Sequence, residues 1–247
     1  MKVLVLVVNR QMDNAPNIKI LDDFLKVIPG IKVDYAGIAR IDSFDAYNGI
    51  ISFKYKIISY KQQINKVCDF ITDYRRELDY DWYIKIRPDI KLLEPIRFDL
   101  LVDTAVNARA REYIGPRFVK DGNSVGGEGK WKHIDGSSYA DSEQKLVLDD
   151  MIYIFSHKMV EKGAFNKVTR KEVKEIFSPY SFKEFEWVQT GLWDSRGIPK
   201  YVIGIPCYNT THAMYSGDIN KSRHTSHSLP LKDLNRDGDH EGQAFQQ

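Results

Sequence analysis

An unbroken apolar run near the start of the chain, VLVLVV at residues 3–8, constrains the fold more than any other feature of the sequence. A strand covered on both faces lacks polar alternation, so this β-branched run predicts a buried strand of a parallel sheet. An amphipathic stretch follows, opened by Pro16 and closed near Gly30, and residues 31–36 then alternate as a second strand. Such a β-α-β unit predicts an α/β fold with a mostly parallel sheet.

The rest of the chain continues this alternation of elements. Periodicity predicts helices over 54–78, 158–165, 169–177 and 182–194, and strands over 80–86, 105–114 and 201–205. Residues 115–145 are glycine-rich and polar, which is typical either of a binding loop or of a disordered insertion. We therefore expect one Rossmann-like domain with flanking helices over residues 1–216, followed by a polar, flexible tail over 217–247.

Charge and cysteine content narrow the partners and the compartment. Lysine and arginine (36) nearly balance aspartate and glutamate (34), for a net charge of +2, so no broad positive field is present to grip a nucleic acid. The two cysteines, Cys68 and Cys207, have no metal-type partner nearby, which favours reduced thiols. No apolar run approaches the ~18 residues that span a bilayer. These features predict a cytoplasmic protein with no integral membrane segment and no nucleic-acid partner.

The motif that points to chemistry is Arg87-Pro88-Asp89, at the end of the predicted strand over 80–86. Proline cannot donate a hydrogen bond to a neighbouring strand, so the strand must stop at Pro88. Asp89 then emerges at the carboxyl end of the strand. Open α/β sheets bind their ligands in the crevice outside these ends.

The chain around residues 80–90 and 146–155 resembles the GT-A type of nucleotide-diphospho-sugar glycosyltransferases. In that family a strand near the middle of the domain ends in an acidic signature, usually Asp-x-Asp, that holds Mg²⁺ or Mn²⁺ against the diphosphate of the donor. The Arg-Pro-Asp form is similar to a variant in bacterial and large-virus members that build surface glycans. The resemblance implies a GT-A fold, a nucleotide-sugar donor, a glycan acceptor and a divalent metal.

The physical need for such a motif is charge compensation. A nucleoside diphosphate gains negative charge as it leaves the sugar, and a divalent ion or fixed cations must stabilise that charge. With Arg87 in the first acidic position, Asp89 is the candidate metal ligand. Either Asp89 and donor oxygens hold the metal, or Arg87 supplies part of the positive charge and metal dependence is weak.

The resemblance also implies an acidic residue facing the acceptor, which in inverting members removes the proton of the acceptor hydroxyl. Asp149 and Asp150 occur at this stage of the chain, and we favour Asp150. Adjacent residues of a strand point to opposite faces, so only one of the two is expected to act. The alternative is an acidic pair that stabilises the dipole of a helix N-terminus.

Four further residues are candidates for binding the donor or the metal. Asn9 follows the first strand, where the nucleoside is expected, and Lys54 is expected to open the long helix and contact phosphate. Arg109 lies on the strand over 105–114 and is placed either to steady a diphosphate or to form an ion pair. His212 follows the last predicted strand and is a candidate second metal ligand.

Two other functions compete with the transferase. The first is a catalytically inactive carbohydrate-binding domain of the same fold, because fold alone does not fix function. The second is a metal-dependent nuclease in which Asp89, Glu128 and Lys130 form the carboxylate and lysine set. The near-neutral charge and the glycine-rich surroundings of Glu128 argue against the nuclease.

Overall fold

The computed structural model describes most of the chain between its first residue and residue 210. The described residues are 1–9, 12, 14–61, 63–114, 119–120, 123–124, 130–132, 144–172, 185–210 and 232–233. Within these ranges, backbone placement alone is described for 110–114, 119–120, 123–124, 130–132, 144–149, 185–188, 202, 208–209 and 232–233.

The described residues form an α/β fold. The strands are β1 Lys2–Val8, β2 Lys32–Ala39, β3 Phe53–Ile58, β4 Trp82–Ile86, β5 Ile90–Leu92, β6 Val106–Ile114, β7 Val119–Lys120, β8 Asn123–Ser124, β9 Lys130–Lys132, β10 Gln144–Ser156, β11 Lys200–Val202, β12 Cys207–Asn209 and β13 Lys232–Asp233. The helices are α1 Ala15–Lys26, α2 Gln63–Asp73, α3 His157–Glu161, α4 Arg170–Glu172 and α5 Phe185–Ser195, with 3₁₀ turns at Phe44–Tyr47 and Phe98–Leu100.

One large mixed sheet organises these elements, with β4 at its centre. Its seven main strands lie in the order β3-β2-β1-β4-β10-β6-β11, and β9 and β13 add short pairings to β6 and β11. Among these seven described strands, six run in one direction and β10 is antiparallel to both of its neighbours. The prediction of a mostly parallel α/β sheet is therefore confirmed.

Apolar layers cover both faces of the sheet. One layer packs α1 against β1, β4 and β10, and the other packs α2, α3 and α5 on the opposite face. Consecutive residues of β1 therefore enter different layers, and its six apolar side chains all have 0% exposure. This double burial explains the unbroken apolar run of the first strand.

The long helix predicted over 54–78 is wrong in its first half. Residues 53–58 form β3, which pairs in parallel with β2, and the helix α2 begins only at Gln63. Phe53, Tyr55 and Ile57 alternate with exposed residues, a period of two that indicates a strand. Ile57 also stands seven residues before Ile64, a spacing of two helical turns that concealed the boundary.

Three other boundaries differ from the sequence expectation. α3 ends at Glu161, not at residue 165, because the chain turns through Gly163 with φ 81°. Gly30, with φ 72°, lies in the turn that leads into β2, and Val27 is the C-cap of α1. Of the predicted tail, the described pair Lys232–Asp233 forms β13 beside β11, and the remainder lies outside the described residues.

Both cysteines are buried, and no disulfide joins them in the part of the chain that the structure describes. Cys68 belongs to the apolar layer beneath α2, and Cys207 belongs to the layer on the other face of the sheet. The sheet thus separates the two thiols. In the part of the chain that the structure describes, no helix has the length and apolar composition needed to cross a membrane.

A capping box fixes the chain between α3 and α5. The Glu172 carboxylate accepts hydrogen bonds from the Thr169 backbone N–H (2.7 Å) and hydroxyl, while the Glu172 N–H donates to Thr169 Oγ1 (3.2 Å). Arg196 donates to the same carboxylate at 2.8 and 3.2 Å. Burial alone raises the pKa of Glu172, but the bonds from Arg196 and Thr169 outweigh it and lower that pKa to about 2.

We expect Glu172→Gln to lower the free energy of unfolding at neutral pH by about 2 kcal/mol, because it removes the charge opposite Arg196 while keeping a capping side chain. The folded pKa of Glu172 lies below its unfolded value, so this contribution is present above pH ~4.5 and is lost as pH falls towards 2. Urea unfolding of both proteins across this range measures the effect.

The matched control is Asp73→Asn, which breaks the exposed pair with Lys167. Exposed pairs contribute little, so the control should change the free energy of unfolding by less than about 0.5 kcal/mol. Equal effects of the two substitutions, or a Glu172→Gln effect that persists unchanged at pH 2, would contradict the assignment.

Candidate functional site

The candidate site begins where β4 ends. The Arg87 N–H donates to Met151 O of β10 (2.9 Å), and Arg87 O accepts from the Ile90 N–H (3.1 Å). Pro88 has no N–H to continue the strand, so the chain turns there and re-enters an extended conformation in β5. The backbone on both sides of Pro88 is thereby fixed by hydrogen bonds.

Two residues distant in sequence hold this turn from outside. Asn17 of α1 donates from Nδ2 to Pro88 O (3.0 Å) and to Thr210 Oγ1 (3.1 Å). Thr210 donates to Asp89 O from its backbone N–H (2.8 Å) and from its hydroxyl (3.0 Å). We call Asn17 and Thr210 the turn clamp. It joins the first helix and the end of β12 to the residue that carries the site carboxylate.

The side chains of this turn form a charged group with the bulged strand β10. Arg87 donates from Nε to Asp89 Oδ1 (3.0 Å) and from Nη2 to Asp89 Oδ2 (2.5 Å), a bidentate pair. Arg87 Nη1 lies 3.6 Å from Asp150 Oδ1. The Asp89 and Asp150 side chains are 6% and 4% exposed and that of Arg87 is 21% exposed. The structure therefore brings together Arg87, Asp89 and Asp150, all expected from the sequence.

A β-bulge places Asp150 in this group. The pairing of β10 with β6 shifts between Leu148 and Tyr153, so that residues 149–152 stand against the single residue Arg109. Regular alternation of faces does not hold through such a bulge, which weakens the sequence argument that separated Asp149 from Asp150. The side chain of Asp149 lies outside the described residues.

Two further cations lie at the same end of the sheet. Lys85 of β4 is fully buried, donates to Asp150 O, and lies 5.3 Å from the centroid of the Tyr153 ring. Arg109, 1% exposed, donates to Cys207 Sγ at 2.8 Å. Across the sheet, Tyr153 pairs with Lys85 on one side and with Ala108, the residue before Arg109, on the other. Lys85 and Arg109 therefore lie at similar positions along the strand direction. Arg109 is thus a buried cation, and its role in binding a diphosphate stays a prediction.

Asn9 lies at the topological switch point of the sheet. β1 has β2 on one side and β4 on the other, which is where ligands of open α/β sheets bind. The Asn9 N–H donates to Ile38 O (3.1 Å), and Asn9 O accepts from Lys66 Nζ of α2 (3.0 Å). Lys66 is 4% exposed, and among the described residues no carboxylate pairs with it. Burial, and then the nearby charge of Arg40, lower its pKa to about 8.

Lys54 is a correction to the sequence expectation. It was expected at the start of a helix facing phosphate, but it lies on β3 and donates to Asp34 Oδ2 (3.0 Å) and Tyr80 Oη (2.9 Å). Asp34 is near the amino end of β2, and Tyr80 precedes β4. Parallel strands share their ends, so Lys54 lies at the opposite end of the sheet from Asp89.

The structure tests none of the remaining expectations on metal ligands. His212 lies outside the described residues. Within the described ranges, no group of three or more His, Cys, Asp and Glu side chains could together hold a metal ion. Mn²⁺ or Mg²⁺ at Asp89 stays a prediction of the resemblance.

A cleft lined by described residues lies away from the charged group of Arg87, Asp89 and Asp150. It is bordered by the turn 48–52, Phe44 and Lys56, beside the edge strand β3. β3 is three strands from β4, roughly 14 Å at the usual strand spacing. The charged group at the end of β4 therefore defines the candidate site, and this cleft does not.

Sequence reasoning missed four residues of the site: Lys85, Lys66, Asn17 and Thr210. Three of them carried a detectable signal, a polar residue on an apolar face. Lys85 interrupts a central strand, and Asn17 and Lys66 lie on the buried faces of their helices. A buried polar side chain needs partners, so each position indicated a specific interaction. Thr210 gave no such signal, because its partners are set by the pairing of β12 with β5.

The chain matches no model of a known protein family, and no curated protein matches it.

Lys66→Met should raise the free energy of unfolding at pH 7 by about 1–2 kcal/mol, because it removes a buried charge with no carboxylate partner among the described residues. The pKa of Lys66 in the folded protein is about 8, below the ordinary lysine value of 10.5. The cost of the charge is therefore present below pH 8 and is relieved as pH rises to 10.5. The advantage of the variant should shrink over that interval, as measured by denaturant unfolding.

Lys61→Met is the control, since the Lys61 side chain is 56% exposed. It should change the free energy of unfolding by less than about 0.5 kcal/mol. A destabilised Lys66→Met protein would show that Lys66 serves the fold, and would remove the reason to regard it as a binding residue.

Proposed function

We propose that the protein is a glycosyltransferase that moves a sugar from a nucleoside-diphosphate donor to a hydroxyl of a glycan acceptor. The observation that carries the proposal is the convergence of Arg87, Asp89 and Asp150 at the carboxyl end of the central strand β4. The resemblance to GT-A glycosyltransferases implies an acidic signature at the end of a strand near the middle of the domain. It also implies a second acidic residue in the part of the sequence where Asp150 occurs.

The charges around the site support a diphosphate ligand. Among the side chains described there, Lys85, Arg87 and Arg109 are cations, while Asp89 and Asp150 are anions. Cations at one end of the sheet attract an anion more strongly in a buried setting than they would in water, because the local dielectric constant is low.

Lys66 and Asn9 extend this positive region to the switch point between β1 and β4. A nucleotide laid across the carboxyl ends of these strands would place its nucleoside near Asn9 and its diphosphate near Arg87. Lys66 would then meet the nucleotide in its protonated form. Binding should weaken as pH rises through about 8, the pKa of Lys66 in the folded protein without ligand.

The proposed step is a direct displacement, which assumes inversion at the anomeric carbon. The acceptor oxygen forms a bond to that carbon while the bond from the carbon to the diphosphate oxygen breaks, and the electron pair stays on the diphosphate. The Asp150 carboxylate takes the proton of the attacking hydroxyl. Arg87, with the buried cations around it, stabilises the charge that develops on the departing diphosphate.

A divalent ion does not fit the described residues as they stand. Both Asp89 oxygens accept hydrogen bonds from Arg87, and Asp150 Oδ1 faces the same guanidinium at 3.6 Å. Mg²⁺ needs oxygen ligands at about 2.1 Å in near-octahedral geometry. To reach either carboxylate, the ion would have to displace the guanidinium. The proposed mechanism therefore contains no step through a metal.

The wider setting belongs to the same proposal. A surface glycan of the kind built by bacteria and large viruses is the acceptor class that the Arg-Pro-Asp variant suggests, and a cytoplasmic location fits a donor of this type. The nuclease alternative needs Glu128 and Lys130 beside Asp89. Glu128 lies outside the described residues, and Lys130 lies on β9, which pairs with the last residues of β6. No observation favours that alternative.

We expect a nucleoside diphosphate or its sugar conjugate to raise the melting temperature. A panel of uridine, guanosine and cytidine compounds, tested with and without Mn²⁺ and scored also for slow release of nucleoside diphosphate, measures this. The absence of any shift and any turnover across the panel would remove the proposed function. A shift without turnover would favour the inactive carbohydrate-binding domain.

Asp150→Asn should lower turnover by about 100-fold or more, because an amide cannot accept the proton, while donor affinity changes by less than about threefold. Asp99→Asn is the control, since Asp99 is an exposed carboxylate with a similar arginine partner. If Asp149→Asn lowers turnover and Asp150→Asn does not, the base has been assigned to the wrong member of the pair.

A further inference from the structure

We infer that the Arg87 guanidinium takes the place of the divalent cation in this site, so that a nucleoside diphosphate binds and departs without a metal ion. This inference rests on the proposed function for its ligand. The sequence leaves open whether Asp89 binds a metal ion or whether Arg87 supplies the positive charge. The inference favours the second possibility. Two features of the site support it: both carboxylates already engage Arg87, and Arg87 is held in place by its backbone hydrogen bonds.

The two carboxylates of the site already share one cation. Arg87 engages both oxygens of Asp89, at 3.0 and 2.5 Å, and lies 3.6 Å from Asp150 Oδ1. A guanidinium is planar, permanently charged and presents its donors in a fixed fork, which matches a carboxylate on one edge. The cation between Asp89 and Asp150 is thus supplied by the chain.

The same Arg-x-Asp spacing occurs a second time, which shows that spacing alone does not create the site. Arg97 donates to Asp99 at 2.9 and 2.6 Å, with nearly the same bidentate geometry as Arg87 and Asp89. The Arg97 and Asp99 side chains are 67% and 59% exposed, and no second carboxylate forms an ion pair with Arg97 among the described residues. Burial and the contribution of Asp150 therefore distinguish Arg87.

The backbone of Arg87 is also fixed in place by hydrogen bonds. Its N–H and its carbonyl are both hydrogen-bonded, and the turn clamp holds the two residues that follow it. A positive group that is fixed before reaction stabilises developing charge without the cost of reorganising solvent. As the bond from the anomeric carbon to oxygen breaks, the electron pair passes to the diphosphate oxygen, and Arg87 stabilises that charge with no change in its own protonation.

The first experiment titrates Mn²⁺ alone, without nucleotide, and follows the free ion by its electron paramagnetic resonance. The wild-type protein should bind Mn²⁺ no more tightly than about 1 mM. Arg87→Asp should create a site at least tenfold tighter, because three carboxylates then converge with no guanidinium among them. The matched control Arg97→Asp, which creates an exposed pair of carboxylates, should bind as weakly as the wild type.

The second experiment measures the affinity of the best nucleoside diphosphate by calorimetry, in chelator and in excess Mn²⁺. The wild-type affinity should differ by less than about threefold between the two conditions. Arg87→Gln should lower the affinity by tenfold or more, and Mn²⁺ should not restore it. For Arg87→Asp, Mn²⁺ should restore binding that is lost in chelator, since an ion then replaces the missing cation.

Each outcome decides one of the two proposals. Tight wild-type binding of Mn²⁺ that Asp89→Asn abolishes would overturn the role of Arg87, even if Arg87→Asp does not fold. Nucleotide binding by the wild type that requires Mn²⁺ would overturn it as well. If no nucleotide binds under either condition, the proposed function fails, and the Mn²⁺ titration still decides whether Arg87 excludes a metal.

Discussion

The rest of the site depends on one buried interaction, a single guanidinium between two carboxylates at the end of the central strand. Removing charges from water is expensive, and the attraction between them compensates only when their geometry is well fixed. Here the fixing is visible in the backbone hydrogen bonds of Arg87 and in the contacts of Asn17 and Thr210 with the turn. Apolar side chains at these positions would stabilise the fold about as well, so stability alone does not account for the three charges.

The architecture of the sheet explains why this point was available for a site. The chain leaves β1 towards β2 and later returns to place β4 on its other side, which is the topology at which open α/β sheets bind their ligands. The antiparallel strand β10 then brings its bulge to the same end of the sheet. Parallel strands supply a common edge, and one reversed strand carries a second carboxylate to that edge. Neither element alone would pair Asp150 with Arg87.

Much of this could be predicted from the sequence, and the failures have physical causes. The apolar run of β1 and the proline after β4 are local signals, and they predicted the sheet and the position of Asp89 correctly. The strand β3 was missed because Ile57 and Ile64 satisfy a helical spacing although a break separates them. Lys66 and Asn17 were missed because their role depends on what faces them in space. The register of the bulge, which decides the placement of Asp150, has no local signature in the chain.

The turn clamp has a consequence for how the protein acquires its structure during synthesis. Thr210 closes the turn at Asp89 from 121 positions further along the chain, and Asn17 reaches Thr210 across 193 positions. The first four parallel strands leave the ribosome long before the residue that fastens their carboxyl end. Contacts of such long range form slowly. The turn clamp can therefore close only after residue 210 has been made, when the four strands that it fastens have already been synthesised.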